Sequence, residues 1–467
     1  VSMRQMRLVR TVIRKELRVT FRDRWLCLAC ALFSVALTVS CWLSVTYGAE
    51  TVSEIESLQR TARQDWLDQP TTNAHMATHH GTTLYKPLSP LSVLDPGIDP
   101  LFGSQVRVQS HRQERMTDPR DARRPWLNSL AVDSPALLLE AGLPVFVVLL
   151  GFAGISRERE QGTNRLLAGN GAPWSAVIVG KLAAICIIAA VMSLPALIPA
   201  IASLGLEAET PVMPWPDRGL RVLFLVTAGA LYILGWAALS LAISSAAGST
   251  RTAFLALILL WFGWTIAAPR LAGSVAMNRY PIPDWRDLER ARDDALRFNK
   301  DATSTDDATG SESATPSESR EISSEGAKLL ALESFSDAVY DRFGGQIESA
   351  FESQDQVMSL GTLLSPYLAM RANSMLWSAT DRRHHEDFRR AAETYRRDLV
   401  RSLNLMEARQ ERPGPSSEDR RVFWARMPAF DYRFPPAASV FRDAFLSTAV
   451  LCVWCLVTLV GAFRVPH

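Results

Sequence analysis

The stretch from Leu182 to Leu206, LAAICIIAAVMSLPALIPAIASLGL, holds 25 consecutive residues without one Asp, Glu, Lys or Arg. About 20 apolar residues in a helix cross the ~30 Å hydrocarbon core of a bilayer. Such a run satisfies its backbone polar groups internally only as a helix, so it decides the fold class. Outward from it the pattern repeats. Trp25 to Ala49, Ala141 to Ser156, Val222 to Thr250, Thr252 to Pro269 and Ala444 to Phe463 are also free of charge. The whole-chain averages, 48% hydrophobic and 21% charged over 467 residues, resemble ordinary soluble domains only because the charges are segregated. A soluble globular enzyme is excluded. A nucleic-acid binder is excluded too, since 50 basic against 48 acidic residues leave a net charge of +2 and no broad basic face.

The runs predict an all-α integral membrane protein with six transmembrane helices, over 25–47, 135–155, 182–206, 220–243, 253–268 and 444–463. The charges between them set the orientation. Residues 1–24 hold eight basic and two acidic side chains, and the 156–181 loop holds four and two. The long segments 48–134 and 270–443 are net acidic, with nine basic against eleven acidic and 25 against 29. Both termini are therefore expected in the cytoplasm and the two long segments outside. The apolar run after residue 24 is longer than the core of a signal peptide and reads as an uncleaved anchor.

Val9, Ile13, Leu17 and Phe21 recur every four residues among Arg7, Arg10, Arg14, Lys15 and Arg18. Residues 1–24 therefore read as a cytoplasmic amphipathic helix lying in the lipid interface. The 48–134 segment starts with a helical stretch, Val52 to Leu67, and then turns loop-like among prolines. Residues 270–443 read as a mostly helical domain, with helices over Asp284–Lys300, Lys328–Gln354 and Arg382–Gln410 and a mobile linker over 301–325. Lys328–Gln354 carries a candidate break at Gly344-Gly345. The apolar piece Val357–Trp377 contains Pro366, Arg371 and Asn373 and reads as buried or membrane-resting rather than spanning.

All six cysteines fall in the spans, where Cys behaves as a small hydrophobe. His75, His79 and His80 cluster in a segment that reads as a solvated loop; three imidazoles could hold an ion, but no Cys or paired acid stands beside them. His384 and His385 point about 100° apart on a helix, which suits a helix start beside Asp381 better than chelation. No metal site is assigned. Glu140 lies inside the second span and is read either as lining a water-accessible pathway or as reaching the headgroups.

The segment that carries function is 156–181. It runs Ser156-Arg157-Glu158-Arg159-Glu160-Gln161-Gly162-Thr163, then Arg165-Leu166-Leu167, then Pro173-Trp174 and Gly180-Lys181. Acid-Arg-acid, one residue, Gly-Thr, then Leu-Leu and a proline-containing return to Lys resembles the membrane subunit of ABC exporters of the six-helix, type-2 permease class. The motifs Asp381–Phe388, Ala391–Arg396 and Met427–Pro435 resemble the subgroup with a large periplasmic helical insertion before the last span. The resemblance implies that Arg157, Glu158, Arg159, Glu160, Gly162, Thr163, Leu166 and Leu167 form a coupling helix docking on a cytoplasmic ABC ATPase. It also implies a dimer with a second copy or a sister permease, membrane lipids around it, and a candidate periplasmic partner.

No Gly-x4-Gly-Lys-Ser/Thr occurs, so ATP and Mg are expected on the partner ATPase and no cofactor on this chain. Neither a nucleophile–base pair nor a zincin motif is present, so no catalytic residue is assigned. Export or translocation driven by ATP is the expected function. The rivals are a mechanotransmission subunit that moves a periplasmic partner without transport, and a membrane-anchored scaffold or sensor.

Overall fold

The computed structural model describes residues 3–117, 134–169, 171–205, 212–284, 286–287, 289–295, 297 and 324–464. Apart from Ser324 and Glu325, the linker expected over 301–325 lies outside the described residues, as do parts of the charged helix before it. Six helices are long and apolar enough to cross a membrane: Arg24–Leu67, Pro135–Glu160, Trp174–Gly205, Trp215–Ala246, Thr250–Arg279 and Ala437–Phe463. The protein is a multi-pass, mostly helical membrane protein.

The first span is one 44-residue helix, with Asp23 as its N-cap accepting from Leu26 N at 3.1 Å. It joins the span and the helical stretch Val52–Leu67 into a single rod. Trp25, Leu28, Leu32, Val35, Val39 and Trp42 repeat at three and four residues and are exposed, while Phe33, Leu37 and Cys41 are buried. An apolar stripe left uncovered along a span is suited to lipid or to another membrane helix.

Prolines shape two other spans. Pro144 has no N–H to give to the Glu140 carbonyl one turn earlier, and the helix widens into a π-turn over Leu138–Gly142. The freed Glu140 carbonyl accepts from the Tyr232 hydroxyl at 3.0 Å, and the neighbouring Ala141 carbonyl from Trp261 Nε1 at 2.9 Å. Pro269 in the fifth span is preceded by a second π-turn, Gly263–Ala267, and the helix runs on to Arg279. There Ser365 Oγ donates to the Trp264 carbonyl at 2.8 Å. Buried carbonyls left open by proline must find other donors, and these side chains supply them. Between the spans, Trp236 packs against Trp264 and Trp454 with ring centroids 5.7 and 6.0 Å apart.

The extramembrane domain gathers around the helices Ser324–Gly361 and Arg382–Ala408. Gly344 and Gly345 leave the first of these unbroken. Residues read as loop-like carry the short helix Ala74–His80 and an antiparallel sheet of β1 (Thr82–Tyr85), β2 (Gln105–Gln109) and β3 (Arg112–Gln113), in that order. Leu84 opposite Val106 and Thr82 opposite Val108 set the register, which turns Leu84, Val106 and Val108 into a core with Phe388, Leu399 and Leu403. Arg396 is buried in that domain and reaches Glu333 at 2.7 Å, Glu393 at 2.9 Å and Asp337. The helix Pro366–Trp377, capped by Ser365, packs against the fourth and sixth spans.

The first helix, Met3–Arg22, lies against the start of the third span. Gly180 makes that approach possible, because a Cβ there would stand 2.6 Å from Val12 Cβ and 3.2 Å from the Val9 carbonyl. Gly180→Leu is expected to push the amphipathic helix off the third span. Spin labels on the two helices would report a lengthened distance; an unchanged distance would mean that the contact is not what seats the helix.

Candidate functional site

The segment between the second and third spans is a hairpin built from short pieces. Ser244 Oγ accepts from the backbone N–H groups of Ile155 (3.0 Å) and Ser156 (3.1 Å), pinning the point where the second span emerges. The helix Ser156–Glu160 follows, then a reversal at Gly162, whose φ of 72° lies in the left-handed region that glycine tolerates without strain. Thr163 Oγ1 donates back to the Glu158 carbonyl at 3.1 Å and starts the helix Thr163–Gly169. The chain returns through Pro173 into the third span.

The charged side chains divide into two sets. Arg159 donates to the Ala247 carbonyl at 3.0 Å and to the Ser245 carbonyl, both at the end of the fourth span. Glu160 accepts from Thr250 N at 2.8 Å and Thr250 Oγ1 at 2.9 Å, at the start of the fifth. A cation at a helix C-terminus and an anion at an N-terminus each complement the local dipole. Together they clasp both sides of the junction between the fourth and fifth spans. Glu158 points the other way, to Lys181 at 2.9 Å and Lys15 at 2.5 Å, while Glu16 binds Lys181 at 2.6 Å and Lys15 at 3.0 Å. Two lysines and two carboxylates thus tie the amphipathic helix, the hairpin and the third span together.

Lys181 is only 3% exposed, and such a charge is tolerated because it is doubly paired. Burial alone would raise the Glu16 carboxyl, but the charge and hydrogen bond of Lys181, with Lys15, hold it below the usual range. Burial likewise works against the charge on Lys15, and its bond to Glu158 outweighs that and raises it.

Arg157, Gly162 and Leu166 face outward, and Leu166 is 67% exposed. Thr163 is half-buried. Leu167 belongs to the second short helix, but its side chain lies outside the described residues. Of the side chains expected from sequence to meet a partner, Glu158, Arg159 and Glu160 are occupied within this chain. Sequence reasoning missed the roles of Lys15 and Glu16. Its available signal was Lys181, a lone cation at the edge of an uncharged run, which needs a nearby anion.

Glu140 is 2% exposed and lies 3.6 Å from Arg371, inside the protein rather than among headgroups. Arg371 in turn binds Asp95 at 2.6 Å, and Asp95 also accepts from Ser374 Oγ at 2.6 Å and Gly97 N at 3.0 Å. The three charged groups come from the second span, the helix Pro366–Trp377 and the segment between β1 and β2. They join the membrane part to the domain outside it.

The histidines separate as well. Asp381 caps the helix Arg382–Ala408 and pairs with His384. His385 packs on Phe102, with ring centroids 5.1 Å apart. Burial, with Lys86, Arg389 and Arg382 nearby, lowers it to about 3, so it is neutral at ordinary pH. His75 and His79 meet His111 rather than His80. A cavity of about 500 Å³ in the same domain is lined by Phe102, Tyr340, Phe351, Arg292 and Arg389.

In comparison with known families, the model described as ABC-2 family transporter protein matches residues 10–465. No curated protein matches the chain.

Proposed function

The chain belongs to the ABC-2 family transporter proteins, and from that premise we propose that it is the permease subunit through which a separate cytoplasmic ABC ATPase drives export or translocation across a bacterial inner membrane. Two permease chains, identical or sister, stand over two ATPase subunits that hold ATP and Mg. Both termini and the 156–181 hairpin lie on the ATPase side. The extramembrane domain lies on the periplasmic side, where it caps the exit or meets a partner.

The division of labour within the hairpin carries this reading. Arg157 and Leu166 offer a cation and an apolar knob to a partner, while Arg159 and Glu160 grip the junction of the fourth and fifth spans. Lys181 and Glu158 extend the grip to the third span and the amphipathic helix. A push on the outward face therefore reaches four membrane elements at once. ATP can shift the spans only by favouring one of their arrangements over another, and a partner bound at this face supplies that difference.

The test is copurification. Arg157→Glu with Leu166→Asp, both on the outer face, is expected to lose the ATPase while the protein keeps its melting temperature. Retention of the ATPase, or labelling of Arg157→Cys from the periplasmic side, would sink the proposal.

A second reading has its own support. The first span continues without a break to Leu67, where Trp66 Nε1 donates to the Trp424 carbonyl at 3.2 Å and Arg63 to the Met427 carbonyl at 3.2 Å. Motion in the membrane would then work the outer domain and a periplasmic partner, with nothing crossing. A small molecule or lipid copurifying in the dimer seam favours transport; ATP-dependent movement of the domain with no cargo favours mechanotransmission.

A further inference from the structure

We propose that His75, His79 and His111 form a binding site, with one exchangeable position, for a divalent transition-metal ion of the zinc or copper class on the extramembrane domain. The site is separate from the hairpin and does not depend on the transport reading.

The helix Ala74–His80 puts His75 and His79 one turn apart on one face. Their Nε2 atoms are 3.3 Å apart. A tetrahedral centre with metal–nitrogen bonds of about 2.0–2.1 Å places its ligands roughly 3.3–3.4 Å from one another. His111 comes from the turn between β2 and β3, and its ring centroid lies 5.8 Å from that of His75 and 5.5 Å from that of His79. One ligand nitrogen from each of the three lies within 4.8 Å of the others, so a small ring rotation completes a three-nitrogen face.

His111 has a φ of 58°, a conformation few non-glycine residues adopt. It is held there by its N–H donating to Glu333 Oε2 at 3.2 Å and by Ser336 Oγ donating to its carbonyl at 3.3 Å. Strained backbone that brings a side chain to a cluster is the kind found at functional sites.

The outer nitrogens are engaged in the pattern that orients metal ligands. His75 Nδ1 lies 2.9 Å from Asn404 Oδ1, His79 Nδ1 lies 3.2 Å from Ser110 Oγ, and His111 Nδ1 lies 2.8 Å from Glu333 Oε2. Asn404 Oδ1 can only accept, so the His75 ring carries its proton on Nδ1 and turns its Nε2 lone pair toward His79. Without an ion, His79 Nε2–H donates to that lone pair across the 3.3 Å contact, and a bound metal would take the place of this proton. Imidazole nitrogen suits zinc and copper over magnesium or calcium, which take oxygen. Three protein ligands leave a fourth position for water or an incoming ligand, and the exposed edge of His79 leaves the site open to solvent.

The experiment uses the full chain in lipid nanodiscs, stripped with chelator and titrated with Co2+, then with Zn2+ in competition. One equivalent of Co2+ should bind with the visible absorption of a tetrahedral nitrogen site, and Zn2+ should displace it. His79→Gln alters an exposed side chain, and His111→Asn keeps a residue type that tolerates the positive φ. Each should weaken binding by more than the about 10–100-fold that loss of an outer partner costs. Glu333→Gln should fall within that outer-partner range. His80→Gln, on the same helix but outside the cluster, should bind as wild type does. Wild-type affinity in His111→Asn, equal weakening in His80→Gln, or no saturable Co2+ binding would overturn the site.

Discussion

Replacing Arg371 by leucine is expected to destabilise the protein by about 3–5 kcal/mol, the cost of breaking a buried ion pair by removing one partner. Asp95 is fully buried and Glu140 nearly so, and Arg371 is the cation within 4 Å of both. Without it, two carboxylates face each other across the seam between the membrane part and the outer domain. Adding Asp95→Asn should recover much of the loss, because it removes one of the two stranded charges. Thermal unfolding in micelles, followed by tryptophan fluorescence, would measure both variants. Melting of Arg371→Leu at the wild-type temperature would show that the cluster contributes nothing to holding the two parts together.

Arg159→Ala should cut ATP-driven output about 5–150-fold, the span that coupling free energies of 1–3 kcal/mol produce. The same variant should leave the ATPase bound. Arg159 spends its guanidinium on the carbonyls at the end of the fourth span, while Arg157 and Leu166 keep the outer face intact. On the proposed reading, binding and transmission should be separable by single side chains. The measurement is ATPase activity and movement of the spans in the reconstituted complex, with copurification scored alongside. If Arg159→Ala loses the partner as completely as the outer-face double variant does, the guanidinium is part of the docking surface and the division proposed for the hairpin is wrong.

Much of the membrane part could be read from residue order alone. Uncharged runs mark spans because hydrocarbon tolerates few exceptions. The helix expected over Arg382–Gln410 likewise forms, over Arg382–Ala408, and buries Phe388, Leu399 and Leu403. Other features resisted for physical reasons. Hydropathy falls near Glu50 because the chain leaves lipid, not because the helix ends, so one rod read as two elements. β1 and β3 are too short to display a period of two, and the alternation of Gln105-Val106-Arg107-Val108-Gln109 in β2 spans only five residues, easily passed over beside so many prolines.

The site resisted for a different reason. His80 adjoins His79 and so looked like the third member of its cluster, yet neighbours on a helix diverge by about 100°. His111 joins from 32 residues beyond His79, through sheet pairing that spacing does not reveal. The neighbours Lys15 and Glu16 are likewise far in order from Glu158 and Lys181, and meet them only once the amphipathic helix has docked. Which charged hairpin residues turn inward depends on where the fourth span ends, a fact local to neither segment.

The 44-residue first helix has a mechanical consequence. Roughly 20 of its residues extend past the bilayer, about 30 Å at 1.5 Å per residue. Pivoting near the lipid surface, that length acts as a lever arm. A swing of about 10° at the fulcrum sweeps the Trp66 end through roughly 5 Å, close to the pitch of one helical turn. If the proposed coupling rocks this span inside the bilayer, the arm would gear that modest tilt up into a stroke large enough to re-register whatever rests on the far tip.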